Sequence, residues 1–501
     1  MKIILASSEV VPFAKTGGLA DVCGALPGEL EKLGHQVTVF MPGYSCANRA
    51  SPSIEKLSLE LELPIGGKLK KVQIGQAKLP DSNVDVYFVL HNDYFFRDGL
   101  YGDQNGDFED NCERFVLFSR AVLESMREFD LQPDLIHVND WQTGLIPALL
   151  KTEYCENPLY RDIASLMTIH NLAYQGLFDA KQMTTTGMLQ KYFNWEQMEF
   201  HGQLSFLKTG IVFADAINTV SPTYAREIQA IEQGCGLEQL LKQRSDRLSG
   251  IINGIDSSDW NPATDTHLKH HFTGDFDPEV GCEGKAKCKQ ELQAEAKVES
   301  RSDVPLIGIV GRLASQKGWS LILPVLRDWL QHVDAQWVIL GTGDPDYHDV
   351  LTSLHRTYPN KLSLALDFSN PYAHRIEAGA DLFLMPSQYE PCGLNQMYSM
   401  AYGTIPVVRQ TGGLADTVIN ANSETIDNKT ATGFSFVDYS VEAFNETLHR
   451  AVDMFRNQKN VWHQMMINGM TTDWSWQISA KKYEQLYEKT IQWSQQSARS
   501  R

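Results

Sequence analysis

Three short strings set cations, glycines and a carboxylate where they could hold an anionic, hydroxyl-bearing ligand. Lys15-Thr16-Gly17-Gly18 puts an ammonium group directly before a paired-glycine turn. Glycines admit close backbone approach and a helix opening there favours negative charge, so ammonium, amides and helix end would converge on one anionic group. Arg312 and Lys317, in Gly311-Arg312-Leu313-Ala314-Ser315-Gln316-Lys317-Gly318, follow the apolar run 306–310. On a strand-to-helix loop the two cations suit a diphosphate, although the string alone also reads as a solvated basic loop. Glu390 stands in Ser387-Gln388-Tyr389-Glu390-Pro391-Cys392-Gly393-Leu394, after another apolar run and before a helix expected to begin near Cys392. Its carboxylate can hold sugar hydroxyls, and the amides of Cys392, Gly393 and Leu394 can face sugar or phosphate oxygens. An acidic helix cap is the plainer role. Cys392 has no His or cation beside it to activate a thiolate, so a small buried apolar role is expected.

The elements that must carry these strings alternate. Apolar, β-branched runs at 2–6, 36–41, 84–90, 135–139, 163–170 and 216–220 are separated by enough chain for helices, the pattern of a parallel, doubly wound sheet. The pattern stalls over the polar stretch 257–303, then restarts with runs at 306–310, 337–340, 362–366, 382–385 and 405–408. The expected fold class is α/β with two Rossmann-like domains, 1–248 and 249–478, and a C-terminal helix in 479–501 packing back on the first. Thr16-Gly17-Gly18-Leu19-Ala20-Asp21-Val22 recurs as Thr411-Gly412-Gly413-Leu414-Ala415-Asp416-Thr417-Val418. Each copy is expected to follow a strand and open a helix. Ligands of such sheets sit at the carboxyl ends of the strands, so facing domains would place one copy on each wall of a cleft.

Composition narrows the partners. With 44 basic against 62 acidic residues the formal charge is −18, which repels nucleic acid and anionic membranes. The eight cysteines are scattered, with no CxxC pair and no zinc spacing, as expected of free thiols in a reducing compartment. The apolar run at the N-terminus is too short for a signal peptide, and a cytoplasmic location is expected. The Asp-x-Asp pieces Asp275-Phe276-Asp277 and Asp344-Pro345-Asp346 read as solvated or helix-capping rather than metal-holding, so neither metal nor cofactor is expected.

Taken together, the KTGGLADV, HNLAYQG (170–176), NGID (253–256), GRLASQKG, EPCGLNQ and TGGLADTV strings occur in this order in bacterial glycogen synthases, and plant starch synthases share most of them. The chain resembles that family over nearly its whole length. The resemblance implies the two-domain GT-B architecture with a deep cleft. It implies a retaining glucosyltransferase that extends an α-1,4-glucan such as glycogen from ADP-glucose. It assigns Lys15, Gly18 and Asp21 to the first-domain side of the donor site, His170 and Asn253 to the transferred sugar, and Asp140 to the acceptor region. Arg312 and Lys317 would hold the diphosphate; Glu390 with Cys392, Gly393 and Leu394 would hold glucose. The catalytic set so implied is Glu390, His170, Arg312, Lys317 and Lys15. His170 by itself is equally the kind of histidine found satisfied in a core. Many transferases of this architecture carry a second Glu eight positions beyond the first; here that place is Tyr398, a departure in which the chain resembles the bacterial synthases.

Retention could proceed by double displacement or by front-face attack, in which the leaving phosphate takes the acceptor proton; the lack of a nucleophile among these strings favours front-face attack. A sugar-nucleotide 2-epimerase and a non-catalytic glucan-binding protein are the other readings, the latter resting on Trp141, Tyr174, Tyr192, Phe193 and Trp195. A dinucleotide dehydrogenase is disfavoured because the first strand leads to KTGG rather than GxGxxG.

Overall fold

Continuous apolar runs make strands that need cover on both faces, and that requirement organises this chain. The computed structural model describes residues 1–104, 106–275 and 282–499. Asp277, one half of an Asp-x-Asp pair, lies outside them. Two compact units result: Met1–Val220, Ala225–Gly254 and the chain from Trp476 onward form one, and Ser221–Tyr224 with Ile255–Ser475 form the other.

The first unit is built on nine strands: β1 (Lys2–Ala6), β2 (Gln36–Pro42), β3 (Glu55–Ile65), β4 (Lys68–Lys78), β5 (Asp85–Leu90), β6 (Leu135–Asn139), β7 (Ala164–Ile169), β8 (Ala216–Thr219) and β9 (Leu248–Gly250). Their order is β9-β8-β7-β6-β1-β2-β5-β4-β3. Every pair is parallel except β3–β4 and β4–β5. The central strands β6 and β7 are buried at every residue. At the edge, β3 and β4 tend to alternate buried and exposed residues, so one face meets water. This antiparallel hairpin is an addition to the parallel sheet expected from the apolar runs. Its turn, Gly66-Gly67, has φ of +56° and +76°, a pair that two-residue hairpins need and glycine supplies.

Helix α1 (Gly18–Lys32) packs beside β2 and buries Leu19, Val22, Cys23, Leu26 and Leu30. The C-terminal helix, Trp476–Arg499, lies against α1 and β7 within the same unit. Its Tyr487 hydroxyl meets His137 Nδ1 at 2.9 Å, and its Tyr483 hydroxyl accepts from Asn218 Nδ2 at 3.1 Å.

The second unit has six parallel strands: β10 (Leu306–Val310), β11 (Gln336–Leu340), β12 (Leu362–Ala365), β13 (Leu382–Met385), β14 (Ile405–Arg409) and β15 (Phe434–Phe436). They lie in the order β12-β11-β10-β13-β14-β15. Helix α2 (Trp319–His332) buries Trp319, Leu321, Ile322, Val325, Leu326 and Trp329 against the sheet core, where Trp337 is also fully enclosed. Among the described residues no helix is long and apolar enough to cross a membrane.

Candidate functional site

In the first unit the candidate residues gather where β1, β6 and β7 end. Lys15 is half exposed, and its ammonium pairs with Asp21 at 2.7 Å. Gly18, exposed, is the first residue of α1, and Gly17 before it is extended (φ −158°) with no atom near the place a Cβ would take. The amides of Thr16 and Gly17 do not point into open space, because both donate to the carboxylate of Glu9. Beside this turn is a hollow of about 460 Å³ lined by Lys15, Thr16, Cys46, Arg49 and Arg97 among others.

Asp140, one residue past β6, has φ +54° and ψ −174°, a region that residues other than glycine enter only with strain. It is buried, and its Oδ1 accepts from the His170 amide at 2.7 Å. Burial pushes its carboxyl up to about 7, against the pull of amide hydrogen bonds from His170 and Asn171. His170, at the end of β7, is buried and its Nε2 meets Asn139 Oδ1 at 2.9 Å. With a carbonyl oxygen as partner, Nε2 carries the proton and Nδ1 keeps its lone pair. Burial holds this imidazole down at about 3, so it is neutral near pH 7. Asn253 is buried with its Oδ1 unpartnered among the described residues, an acceptor desolvated without compensation within the chain.

In the second unit the loops leaving β10 and β13 meet. Lys317 Nζ lies 2.6 Å from Glu390 Oε2, which also accepts from Ser387 Oγ at 3.0 Å. Glu390 is buried, and its Oε1 makes no hydrogen bond among the described residues. Arg312 is exposed on the same loop as Lys317, with Nη2 at 3.3 Å from Gln316 Oε1. Cys392 is buried outside any disulfide, and Gly393 sits at φ +69°. The helix expected near Cys392 starts later: α3 spans Asn395–Ala401, with Leu394 as its N-cap. Glu390 is therefore no cap on that first turn but an ion-pair partner of Lys317, 73 positions earlier in the chain.

The second glycine pair serves a different end. Gly412 and Gly413 open α4 (Gly412–Thr417), and a Cβ on either would lie 1.9 or 2.0 Å from the carbonyl oxygen of Glu390 or Cys392 respectively. Their lack of side chains lets the EPCG loop rest directly on this turn.

Several features escape the sequence patterns. Glu9 lies outside every quoted string. Arg409, at the end of β14, donates to the Gln388 carbonyl and so braces the loop before Glu390. Phe368, beyond β12, is 81% exposed in the polar run Asp367-Phe368-Ser369-Asn370. Of the five aromatics read as possible sugar platforms, Trp141 is core, packed on Phe115 at 4.9 Å, whereas Tyr174 and Trp195 are exposed. Tyr398 is stacked on Trp260 (3.7 Å, 8°), itself stacked on His374 (3.8 Å, 13°). Asp344 accepts from the Asp346 amide as the N-cap of Pro345–Thr357, a capping role.

Comparison with known proteins agrees over nearly the whole chain. Residues 2–243 match the model of the starch synthase catalytic domain and residues 291–462 that of glycosyl transferases group 1. A glycogen synthase of Rhodopirellula baltica is 44% identical over 502 residues, covering 98% of each chain. Glycogen synthase 2 of Geobacter sulfurreducens is 45% identical over 97% of this chain and 98% of its own. The chain belongs to the glycogen synthase family. Among solved structures, the catalytic domain of starch synthase IV from Arabidopsis thaliana, bound to ADP and acarbose, superposes with a TM-score of 0.89 at 33% identity, covering 98% of this chain and 99% of that one. A sucrose-phosphate synthase from Thermosynechococcus elongatus, at 17% identity and TM-score 0.58, covers 97% of this chain and 98% of its own and shares the fold. The glycogen synthase family is one of glycosyltransferases, and the two α/β units are its GT-B architecture.

Proposed function

We propose that this protein transfers glucose from ADP-glucose to the non-reducing end of an α-1,4-glucan, glycogen or a similar polymer, with retention of configuration. The observation that carries the reading is the Lys317–Glu390 pair at the carboxyl edge of β10 and β13, where an open-sheet protein binds its ligand. Lys317 holds one carboxylate oxygen, which leaves Oε1 to accept from sugar hydroxyls whose hydrogen bonds tighten as the ring flattens. Arg312, Lys317 and Lys15 supply positive charge to the leaving diphosphate. Glucose is further held by Cys392, Gly393 and Leu394, and Asn253 offers its unpartnered Oδ1 to a donor on the ligand. Gly18 and Asp21 shape the donor side in the first unit. The neutral His170 gives a lone pair at Nδ1, and Asp140 faces the acceptor.

ADP is supported as the leaving group because the Arabidopsis starch synthase binds it. The groups given to the phosphates are cations, so no divalent metal is required. A cytoplasmic location suits the chemistry of a glucan store built from a nucleotide sugar, and it suits eight cysteines in the thiol form. The epimerase and non-catalytic readings have no support in relatives that are synthases over their full length.

The test is nucleotide release from ADP-glucose and UDP-glucose on a glycogen primer, with and without EDTA. We expect glycogen-dependent ADP release, much weaker use of UDP-glucose and no effect of the chelator; equal rates with both donors would defeat the donor assignment. Glu390→Gln is expected to lower kcat about a hundredfold, the scale of losing one transition-state contact. Near-normal turnover by the folded variant would leave Glu390 only its structural ion pair.

A further inference from the structure

The turn that carries Lys15 is held from outside its own string. Glu9 is 3% exposed. Its carboxylate Oε1 accepts from the Thr16 hydroxyl and the Tyr101 hydroxyl, each at 2.6 Å, while Oε2 accepts from the amides of Thr16 and Gly17, the latter at 3.3 Å. Ser7 fixes the backbone of Glu9 in turn, donating from Oγ to its carbonyl at 2.7 Å and accepting from its amide at 3.1 Å. Tyr101 is tied a second time, by Ser8 Oγ at 2.8 Å. None of these hydrogen-bond partners is a cation, so oriented amides and hydroxyls are what hold the carboxylate.

A helix start with two open amides is an anion site, but here an internal anion already occupies them. Ligand phosphate therefore meets Lys15 rather than an amide nest at this turn. The direction of the Lys15 side chain depends on where Thr16 and Gly17 are held, because Gly17 brings no side chain to the turn and even a Cβ there would meet no atom within 4 Å. We infer that Glu9 is a positioning residue for glucosyl transfer, acting through Lys15. This rests on the role given to Lys15 above.

Glu9→Gln preserves size but converts one acceptor oxygen to a donor, so the paired amides and hydroxyls cannot all be satisfied. We expect kcat with ADP-glucose to fall about tenfold or more, with KM for glycogen changed less than about threefold. In a Lys15→Ala background the same substitution should change kcat less than about twofold, since the group it positions is gone. A full tenfold further loss in that background overturns the inference, as does wild-type kcat in Glu9→Gln. Should Glu9→Gln fail to fold, Thr16→Ala at the exposed end of the network replaces it, with an expected loss of about threefold that vanishes in the Lys15→Ala background; an undiminished loss there overturns the inference. Amide exchange at Thr16 and Gly17 reads the anchoring without activity: it should accelerate in folded Glu9→Gln, and unchanged exchange overturns the inference. If Lys15→Ala alone keeps full kcat while exchange accelerates in Glu9→Gln, Glu9 is an anchor but the Lys15 role fails, and with it the claim that Glu9 serves catalysis.

Discussion

The two copies of TGGLAD are the same letters held in opposite ways. In the first, Thr16 and Gly17 are exposed, nothing crowds Gly17, and a buried carboxylate grips the backbone. In the second, Gly412 and Gly413 are buried, and Gly413 donates its amide to the carbonyls of Glu390 and Pro391. Asp21 answers a half-exposed lysine, whereas Asp416 accepts from Ser221 Oγ, Thr223 N and Thr223 Oγ1 at 2.6–2.9 Å. Helix α1 runs on from Gly18 to Lys32, but α4 stops at Thr417. One local signal, an extended residue followed by a helix start, thus serves a turn gripped by charge in one unit and a turn packed against backbone in the other.

The comparison breaks most readily at the glycines. Gly412→Ala forces a Cβ to within 1.9 Å of a backbone oxygen at φ +46°, and should cost roughly 4 kcal/mol or more, or prevent folding. Gly17→Ala, with open space and φ −158°, should cost less than about 1 kcal/mol. Thermal unfolding of both variants checks this, and similar losses would erase the distinction.

Charge in the first unit should also appear as a pH dependence. Asp140 has its carboxyl raised from 3.8 to about 7, so between those values the folded protein keeps a proton that the unfolded chain releases, and stability falls as pH rises through the window. Asparagine cannot ionise. Asp140→Asn should therefore gain stability relative to the wild type as pH rises from about 4 to about 8, by roughly 2–4 kcal/mol at the upper end. Denaturation at several pH values measures it, and a pH-independent difference would contradict the raised carboxyl.

The smallest contrast is between the aspartates. Asp416→Ala removes the acceptor of three hydrogen bonds and should cost about 2–3 kcal/mol. Asp21→Ala loses a partly exposed ion pair with Lys15, which should cost about 0–1 kcal/mol, whatever it does to turnover. Equal destabilisation in urea titrations would show that the two turns are held alike.

By itself the sequence determined the core strands of both sheets and the loops that carry Lys15, Arg312, Lys317 and Glu390. Buried parallel strands need unbroken apolar runs, and glycine, cation and carboxylate strings at their ends are visible without tertiary contacts. The hairpin β3–β4 leaves a trace in the alternation around Gly66-Gly67, but polar residues on its wet face mask the apolar run that marks the central strands, and the short edge strands β9 and β15, three residues each, carry no such run either. Only the tertiary structure decided that Lys317 binds Glu390 across 73 positions, that Glu9 holds the first glycine turn, and that Gly412 and Gly413 make room for another loop. Those outcomes depend on which chain segments the sheet order brings side by side, and a string read along one dimension does not carry that adjacency.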